Sequence, residues 1–460
     1  MNSTTVLLIS LLLVYSLNFI SLMGGSKVIE VPRDYSSIQV AIDEANPGDA
    51  IQVAAGTYFE SLKITKPLSL IGAGPDNTVI IGKGTVVFVN ADNVEIRGFS
   101  VRNGTYGIFL WYSSGVLLRN NFMSDNKWNF GVWGNSSSHF VQDVDSSNIV
   151  DGKPIYFWVN ENGKQVPKDA GYVALVNSIN IAVEDINLTS NEQGVLLVDT
   201  RYSVIKNVTM SGNDEGIVLR ESSNNTIILN SLTSLNWHAI YSLSSHNNTF
   251  VENTIRNGTY GISMENSSRN TFYHNNFIYN KQQVYQVNSF NKWDNGKEGN
   301  YWSDYKGTDT NGDGIGDTQT PHLGVDYHPL ISVFDKTPPI ADAGRNQTVF
   351  KNTAVFFDAH GSSDNVDIVG YKWDFGDGSN GTGIATNHLY TATGVYTVTL
   401  TVADVSGNTA TDTTVITVVD PPVVVSWWMF FVVIGAVAII LVALIWLRKS
   451  AWIKGIKNKR

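Results

Sequence analysis

The sequence predicts an all-β chain: a right-handed parallel β-helix, then a small β-sandwich, then one C-terminal transmembrane helix. Three observations predict it. Five segments superpose at a spacing of 22 or 23 residues, namely Gly171-Tyr-Val-Ala-Leu, Gly194-Val-Leu-Leu, Gly216-Ile-Val-Leu, Ala239-Ile-Tyr-Ser and Gly261-Ile-Ser-Met. A later stretch, Gly394-Val-Tyr-Thr-Val-Thr-Leu-Thr-Val, alternates apolar and Thr positions as a half-buried strand does. Residues 423–447 then run without a charged side chain.

Residues 1–25 are apolar from Val6 to Ile20, then small and polar, and read as a secretory signal or as an uncleaved N-terminal anchor. The string Val31-Pro-Arg-Asp-Tyr-Ser-Ser-Ile-Gln-Val-Ala-Ile-Asp-Glu-Ala-Asn-Pro-Gly-Asp combines a Ser-rich helix start, an amphipathic run and a Pro-Gly stop. A short helix there is placed to cover the open end of a first coil.

Residues 28–335 read as the solenoid. A period this short cannot enclose a core of its own, so each copy must bury its apolar face against its neighbours. Inside the period, apolar residues alternate in twos between Asn, Ser and Gly, which is strand periodicity with turn punctuation. Two or three short strands per turn describe a parallel β-helix whose like positions stack roughly 4.8 Å apart. Earlier copies start at Gly107 and Gly131, and Asn121, Asn230, Asn253 and Asn275 are expected to form one amide ladder at a bend. The run Lys153-Pro-Ile-Tyr-Phe-Trp-Val-Asn-Glu-Asn-Gly-Lys-Gln-Val-Pro interrupts the repeat and reads as a β-hairpin turning at Asn162-Gly163. Its Tyr156 and Trp158 can offer a ring to a sugar face or pack on the solenoid flank.

Two groups of residues carry chemistry. Asp309, Asn311, Asp313, Gly314 and Asp317 fall at alternate positions of an EF-hand-type loop, with the carbonyl of Ile315 available between them. Hard oxygen donors at that spacing suit calcium. Thr320 stands where a bidentate Glu is usual, so Asp304 or Asp326 is expected to complete the site, and a solvated Asp/Gly turn is the alternative. The second group lies just before each repeat start, where one column reads Asn129, Asp169, Glu192, Asp214, Trp237, Thr259 and the next Phe130, Gln193, Glu215, His238, Tyr260. Glu192, Asp214 and Glu215 are candidate catalytic carboxylates, His238 a proton or hydrogen-bond partner, and Trp237 and Tyr260 platforms for a ligand. A solvated turn edge is the alternative.

Residues 337–420 lie between Pro338-Pro339 and Pro421-Pro422 and contain Tyr371-Lys-Trp-Asp-Phe-Gly-Asp-Gly-Ser and Gly394-Val-Tyr-Thr-Val. These strings resemble the PKD domain, which implies an immunoglobulin-like spacer of surface proteins, with Trp373 in its core and Asp374 and Asp377 in turns. Within the solenoid, Val53-Ala-Ala-Gly-Thr-Tyr and Leu68-Ser-Leu-Ile-Gly-Ala-Gly resemble the start of pectin-lyase-like β-helices. Gly299-Asn-Tyr-Trp-Ser-Asp-Tyr and Asp326-Tyr-His-Pro-Leu resemble the end of NosD-like proteins with carbohydrate-binding and sugar-hydrolase repeats, of the kind found on archaeal cell surfaces. NosD itself is linked to copper-site maturation. Copper wants soft or imidazole ligands, whereas the eight His and six Met here show no paired spacing, so no copper is expected. The paired Asp motifs and Gly-His-Gly string of polygalacturonase-like relatives are missing.

The uncharged run of residues 423–447 is long enough to span a bilayer, and Trp427, Trp428 and Trp446 mark its margins. Residues 448–460 add Arg448, Lys449, Lys454, Lys457, Lys459 and Arg460 without an acid, which by the positive-inside rule places this tail in the cytoplasm. Setting those cations aside, a net charge of −10 becomes about −16 outside, which argues against nucleic acid as a partner. With no cysteine, disulfides and thiolate chemistry are excluded. Sequons including Asn103, Asn187, Asn207, Asn257 and Asn346 can carry glycans in a secreted protein or serve as β-helix bends. The sequence therefore predicts a single-pass cell-surface protein that binds an extracellular polysaccharide or a surface-layer component, as adhesin or envelope scaffold. The rival reading is a surface-anchored polysaccharide lyase or glycoside hydrolase.

Overall fold

A computed structural model describes residues 26–422 and 427–457. The N-terminal signal or anchor and the first residues of the expected membrane span lie outside the described residues. The chain divides into two compact units: one runs to Thr337 and takes in Asp364–Asp367 and Asp404–Asn408, and the other holds Pro338–Ser363, Ile368–Ala403 and the chain from Thr409 onward. The observed class is the expected one, a β-solenoid, a β-sandwich and one long apolar helix.

From Tyr172 to Ile278 each coil of the solenoid carries three strands, one long and two short, and successive coils pair in parallel. The helix Ile38–Glu44, capped by the Ser37 side chain on the Val40 N–H, buries Ile38, Ala41 and Ile42 in the first core. Corners are held by residues in the left-handed region, such as Asn177, Asp199, Glu221, Ser244, Asn266 and Asn288 in one column. The polar interior positions form ladders. Asn230, Asn253 and Asn275 each donate a backbone N–H and a side-chain N–H to the amide oxygen of the next, through to Asn300. Asp326 ends this ladder by accepting from the Asn300 N–H and the Trp302 indole. Asn121 belongs instead to a separate ladder with Asn148.

The solenoid consists of two halves with distinct cores. The predicted hairpin at Asn162-Gly163 is not formed; the reversal comes earlier, where Ile149–Val150 pairs antiparallel with Lys153–Val159 through Asp151 and Gly152, both in the left-handed region. Such a two-residue turn matches the twist of the strands it joins. The stretch that interrupts the repeat is therefore the first coil of the second half, and Lys153–Val159 pairs in parallel with Tyr172–Val176. Across this joint the sheets exchange roles. Short strands of the first half continue into the long strands of the second, giving one 12-stranded sheet.

The outer face of that sheet is the floor of the first half: Tyr172, Ala174, Val176, Leu196, Val198, Val218 and Tyr241 are buried in the first core, while Val173, Leu175, Val195, Leu197, Ile217 and Leu219 face the second. Gly194, Gly216, Ala239 and Gly261 share a column, as expected. A Cβ on Gly216 would meet Leu232 and Leu235 inside, so this residue and Ile217 both face inward. Gly171 does not join the column. It lies one residue out of register because Tyr172 stands in that place, and Gly131 pairs with Phe109 rather than Gly107.

In the second unit, a five-stranded sheet and a two-stranded sheet enclose Phe357, Trp373, Tyr390, Val398, Leu400, Val402 and Ile416. Asp374 and Asp377 accept from the N–H groups of Gly376 and Ser379 in the turn. The helix Trp427–Lys457 contains a stretch, Trp428–Ala451, long and apolar enough to cross a membrane.

Candidate functional site

In the first half the long strands Thr85–Val89, Tyr106–Trp111 and Trp128–Trp133 form a sheet whose inward residues are Val87, Val89, Ile108, Leu110, Phe130 and Val132. Alternation turns Phe109, Trp111 and Trp133 outward, and Tyr106 at the strand start joins them out of phase. Tyr106 stacks on Phe109 at 4.7 Å, Phe109 lies 5.6 Å from Trp111, and Trp111 stacks on Trp133 of the next coil at 6.3 Å. Trp128, 4.9 Å from Tyr106, carries the Lys127 ammonium over its ring at 4.0 Å.

This aromatic flank ends at the joint, where the second half supplies the acids. Phe88, Phe109 and Gly131 share one column, and Glu192 lies over Gly131. The Glu192 N–H donates to the Phe130 carbonyl, and the Gln193 side chain bonds both the N–H and the carbonyl of Val132, substituting for a missing strand. The next two coils place Asp214 and Glu215, then Trp237 and His238, in adjacent columns. Glu215 is 0% exposed and its Oε1 is 2.9 Å from His238 Nδ1. Asp214 accepts from the Asn236 amide at 2.6 Å. The His238 ring is stacked between Trp237 and Tyr241, at 4.3 and 5.1 Å.

Burial governs the protonation of this group. Desolvation, then the neighbouring Glu215 and Asp214 charges, hold the Glu192 carboxyl well above the usual range. Burial and then Asp214 push Glu215 up to about 8, and burial pushes His238 down to about 4. Asp214 is raised by burial as well. At neutral pH Glu215 therefore holds a proton that a neutral His238 accepts as a hydrogen bond. The second carboxyl oxygens of Glu192 and Glu215 are enclosed without a partner.

Several sequence-predicted residues thus come together: Glu192, Asp214, Glu215, His238, Trp237 and Tyr260, the last 5.2 Å from His238. Asp169 does not join them. The register is offset by one at the first coil of the second half, and its carboxylate takes the Tyr156 hydroxyl. Tyr156 and Trp158 pack against the second core, away from the group. The sequence reading missed Tyr106, Phe109, Trp111, Trp128, Trp133 and Arg220. The signal was present in the recurrence of aromatics at the same phase of Tyr106–Trp111 and Trp128–Trp133.

In the Asp309 loop the carboxylates fold onto their own backbone: Asp309 accepts from the N–H groups of Asn311, Gly312 and Gly314, Asn311 from that of Asp313, and Asp313 from that of Ile315. Asp317 accepts from Thr310. The two residues expected to complete this loop are engaged elsewhere, Asp326 at the end of the Asn ladder and Asp304 with His322 at 3.2 Å. A further acidic cluster, Asp335, Asp364 and Asp404, brings carboxylate oxygens within 4.8 Å of one another. Burial raises Asp335 and Asp364. The five sequon residues Asn103, Asn187, Asn207, Asn257 and Asn346 are all exposed.

Comparison with known proteins places these features in context. The family described as periplasmic copper-binding protein (NosD) matches residues 43–156 and 146–307, and the PKD domain matches residues 336–418. A cell surface glycoprotein of Methanothermus fervidus is 33% identical over 119 residues, 25% of this chain and 20% of that protein. The chain thus spans a fifth of that glycoprotein's length. A carbohydrate-binding module of the β-sandwich superfamily is 30% identical, covering 19% of this chain and 36% of that one, with a TM-score of 0.18. The A-module of the mannuronan C-5 epimerase AlgE6 of Azotobacter vinelandii covers 55% of this chain and 74% of its own at 17% identity and a TM-score of 0.29.

Proposed function

The chain belongs to the NosD family, and on that premise we propose that it is a membrane-held surface protein that binds a polysaccharide along the aromatic flank of its first half-solenoid. The observation that carries this reading is the row Tyr106, Phe109 and Trp111 along one strand, continued onto the next coil by Trp133, which stacks on Trp111. Rings set along a rigid sheet suit the apolar faces of successive sugars, which lose little entropy on docking to a preformed surface. Trp237, 44% exposed, extends the same corner. The apolar helix Trp427–Lys457 is the membrane anchor in this reading, with its basic end in the cytoplasm. The test is binding of the full-length protein in detergent to a glycan array, with Trp111→Ala as the variant. A loss of roughly tenfold, about 1.4 kcal/mol, is expected for one stacking ring. Unchanged binding with an intact fold would move the site elsewhere.

A second reading, a lyase or hydrolase, is favoured by Glu215, whose carboxyl, pushed up to about 8, stays protonated at neutral pH as a general acid requires, with Glu192 raised beside it by burial. It also requires a ligand to reach Glu215, which is enclosed. Release of reducing ends or unsaturated products from a bound polysaccharide, abolished by Glu215→Gln, would establish it.

The family description names copper, but the cluster of close ligand atoms among the described residues is Asp335, Asp364 and Asp404, all oxygen donors. Such a set suits a hard cation rather than copper. We propose calcium for the Asp309, Asn311, Asp313, Ile315 and Asp317 loop, whose carboxylates retain lone pairs beside those given to the backbone.

A further inference from the structure

Arg220 ends the strand Glu215–Arg220 on the outer face of the shared sheet, and only 6% of it is exposed. Its guanidinium lies 4.5 Å from the ring centre of Trp133, 5.4 Å from Phe140 and 5.7 Å from Tyr241. It forms no ion pair with any described residue: Arg220 is absent from every salt bridge, and its Nε is enclosed with no partner at all. The two terminal nitrogens hydrogen-bond to no described residue and are not fully enclosed.

A guanidinium is permanently charged and offers five N–H groups in a planar fork. Burying it is costly unless those groups are paired. Ring faces attract its charge but accept hydrogen bonds poorly. Two carboxyl groups stand nearby, and neither neutralises it. Glu215, on the same strand, is committed to His238 and keeps its proton through neutral pH. Glu265, two strands further on in the same column, forms no ion pair with it.

The cage is also the end of the aromatic row, because Trp133 touches Arg220 and stacks on Trp111. A saccharide lying on those two indoles would project a substituent at the guanidinium. We propose that Arg220 is the anchor for an anionic group, a carboxylate or a sulfate, carried by the polysaccharide that lies on the aromatic flank. This rests on the binding reading above and names its ligand class: an acidic polysaccharide.

The experiment measures affinity of the full-length protein in detergent for three probes: oligogalacturonate, an oligomer of dextran sulfate and a neutral dextran oligomer. Wild type is compared with Arg220→Met and Arg220→Lys, and each is melted without ligand. One charged probe is expected to bind at least tenfold tighter than the neutral one, and which of the two does so identifies the anionic group. Arg220→Met should remove that margin while leaving Tm unchanged or higher, since it deletes an unpaired buried charge. Arg220→Lys keeps the charge without the fork and should retain only part of the margin. Equal binding of charged and neutral probes would overturn the anion site and leave the binding reading standing. So would an Arg220→Met variant that melts earlier with its margin unchanged, because Arg220 would then be a clamp between the two halves. Binding of no probe would overturn the binding reading and the anion site together.

Discussion

Glu192 occupies the space that Gly131 leaves: a Cβ added to Gly131 would fall on the Cβ of Glu192. Phe88 and Phe109 hold the same column in the two preceding coils, so the missing side chain admits an acid from the other half-solenoid. Gly131→Ala is therefore expected to destabilise the protein by about 1–3 kcal/mol, the range for overpacking a filled site. Denaturant unfolding of the variant, alone and with Glu192→Gly, measures it; recovery in the double variant would locate the cost at this contact.

The Glu215–His238 pair predicts a pH dependence. Between pH 6.5 and 8 an unfolded Glu is ionised while the folded Glu215, raised to about 8, keeps its proton. The folded state then binds more protons, so stability falls as pH rises through that window. His238, held at about 4 against 6.5 when free, works in the opposite sense between those values and offsets Glu215 there. Glu192 and Asp214, both raised, act in the same sense as Glu215. From pH 6.5 to 8 Glu215 alone accounts for a loss of about 2 kcal/mol at most. Melting curves across this range should show it, and Glu215→Gln should flatten them; a flat wild-type profile would contradict the neutral pair.

Asn253 is fully buried and accepts two N–H groups of Asn230 while its amide donates to the Ile227 carbonyl and to Asn275. Asn253→Ala leaves several of these groups unpaired, each at about 1–3 kcal/mol, so a loss of roughly 3–5 kcal/mol is expected. Removing the Oδ1 acceptor while keeping shape, as in Asn253→Leu, should cost as much. Thermal melting reads both.

Calcium added to the full-length protein is expected to raise Tm, because ligand that binds the folded loop alone stabilises it by about 2.7 kcal/mol at a hundredfold excess over Kd. Asp313→Ala removes one of the alternate oxygen donors and should abolish the shift. Equal shifts in both proteins would assign the effect to another site, with Asp335, Asp364 and Asp404 the first to substitute.

The repeats were legible because their signal is local. Alternation by twos and small residues at strand starts identify a coil without reference to distant residues, and the column of Gly194, Gly216, Ala239 and Gly261 follows from them. The joint was not legible. Gly171 carries the same local mark, yet the reversal at Asp151 and Gly152 shifts its register by one, and only pairing with Pro154 and Gln193 reveals that. The aromatic flank was obscured for a related reason. In Tyr106–Trp111 both faces are apolar, so alternation separates them without saying which one is inside. Arg220 reads as an ordinary strand-end charge until Trp133 and Phe140, more than two coils earlier, are brought against it.

The floor beneath the first half-solenoid sets an order of events during synthesis. Repeat proteins generally gain stability coil by coil as each new repeat covers the last. Here the first core is closed by Tyr172, Leu196, Val198, Val218 and Tyr241, which are made well after its own coils. The early coils must therefore wait, with an apolar end uncovered, until the second half has wound far enough to meet them. A chain stopped at Val150 would remain incomplete whatever time it is given, and would be prone to self-association through that open end.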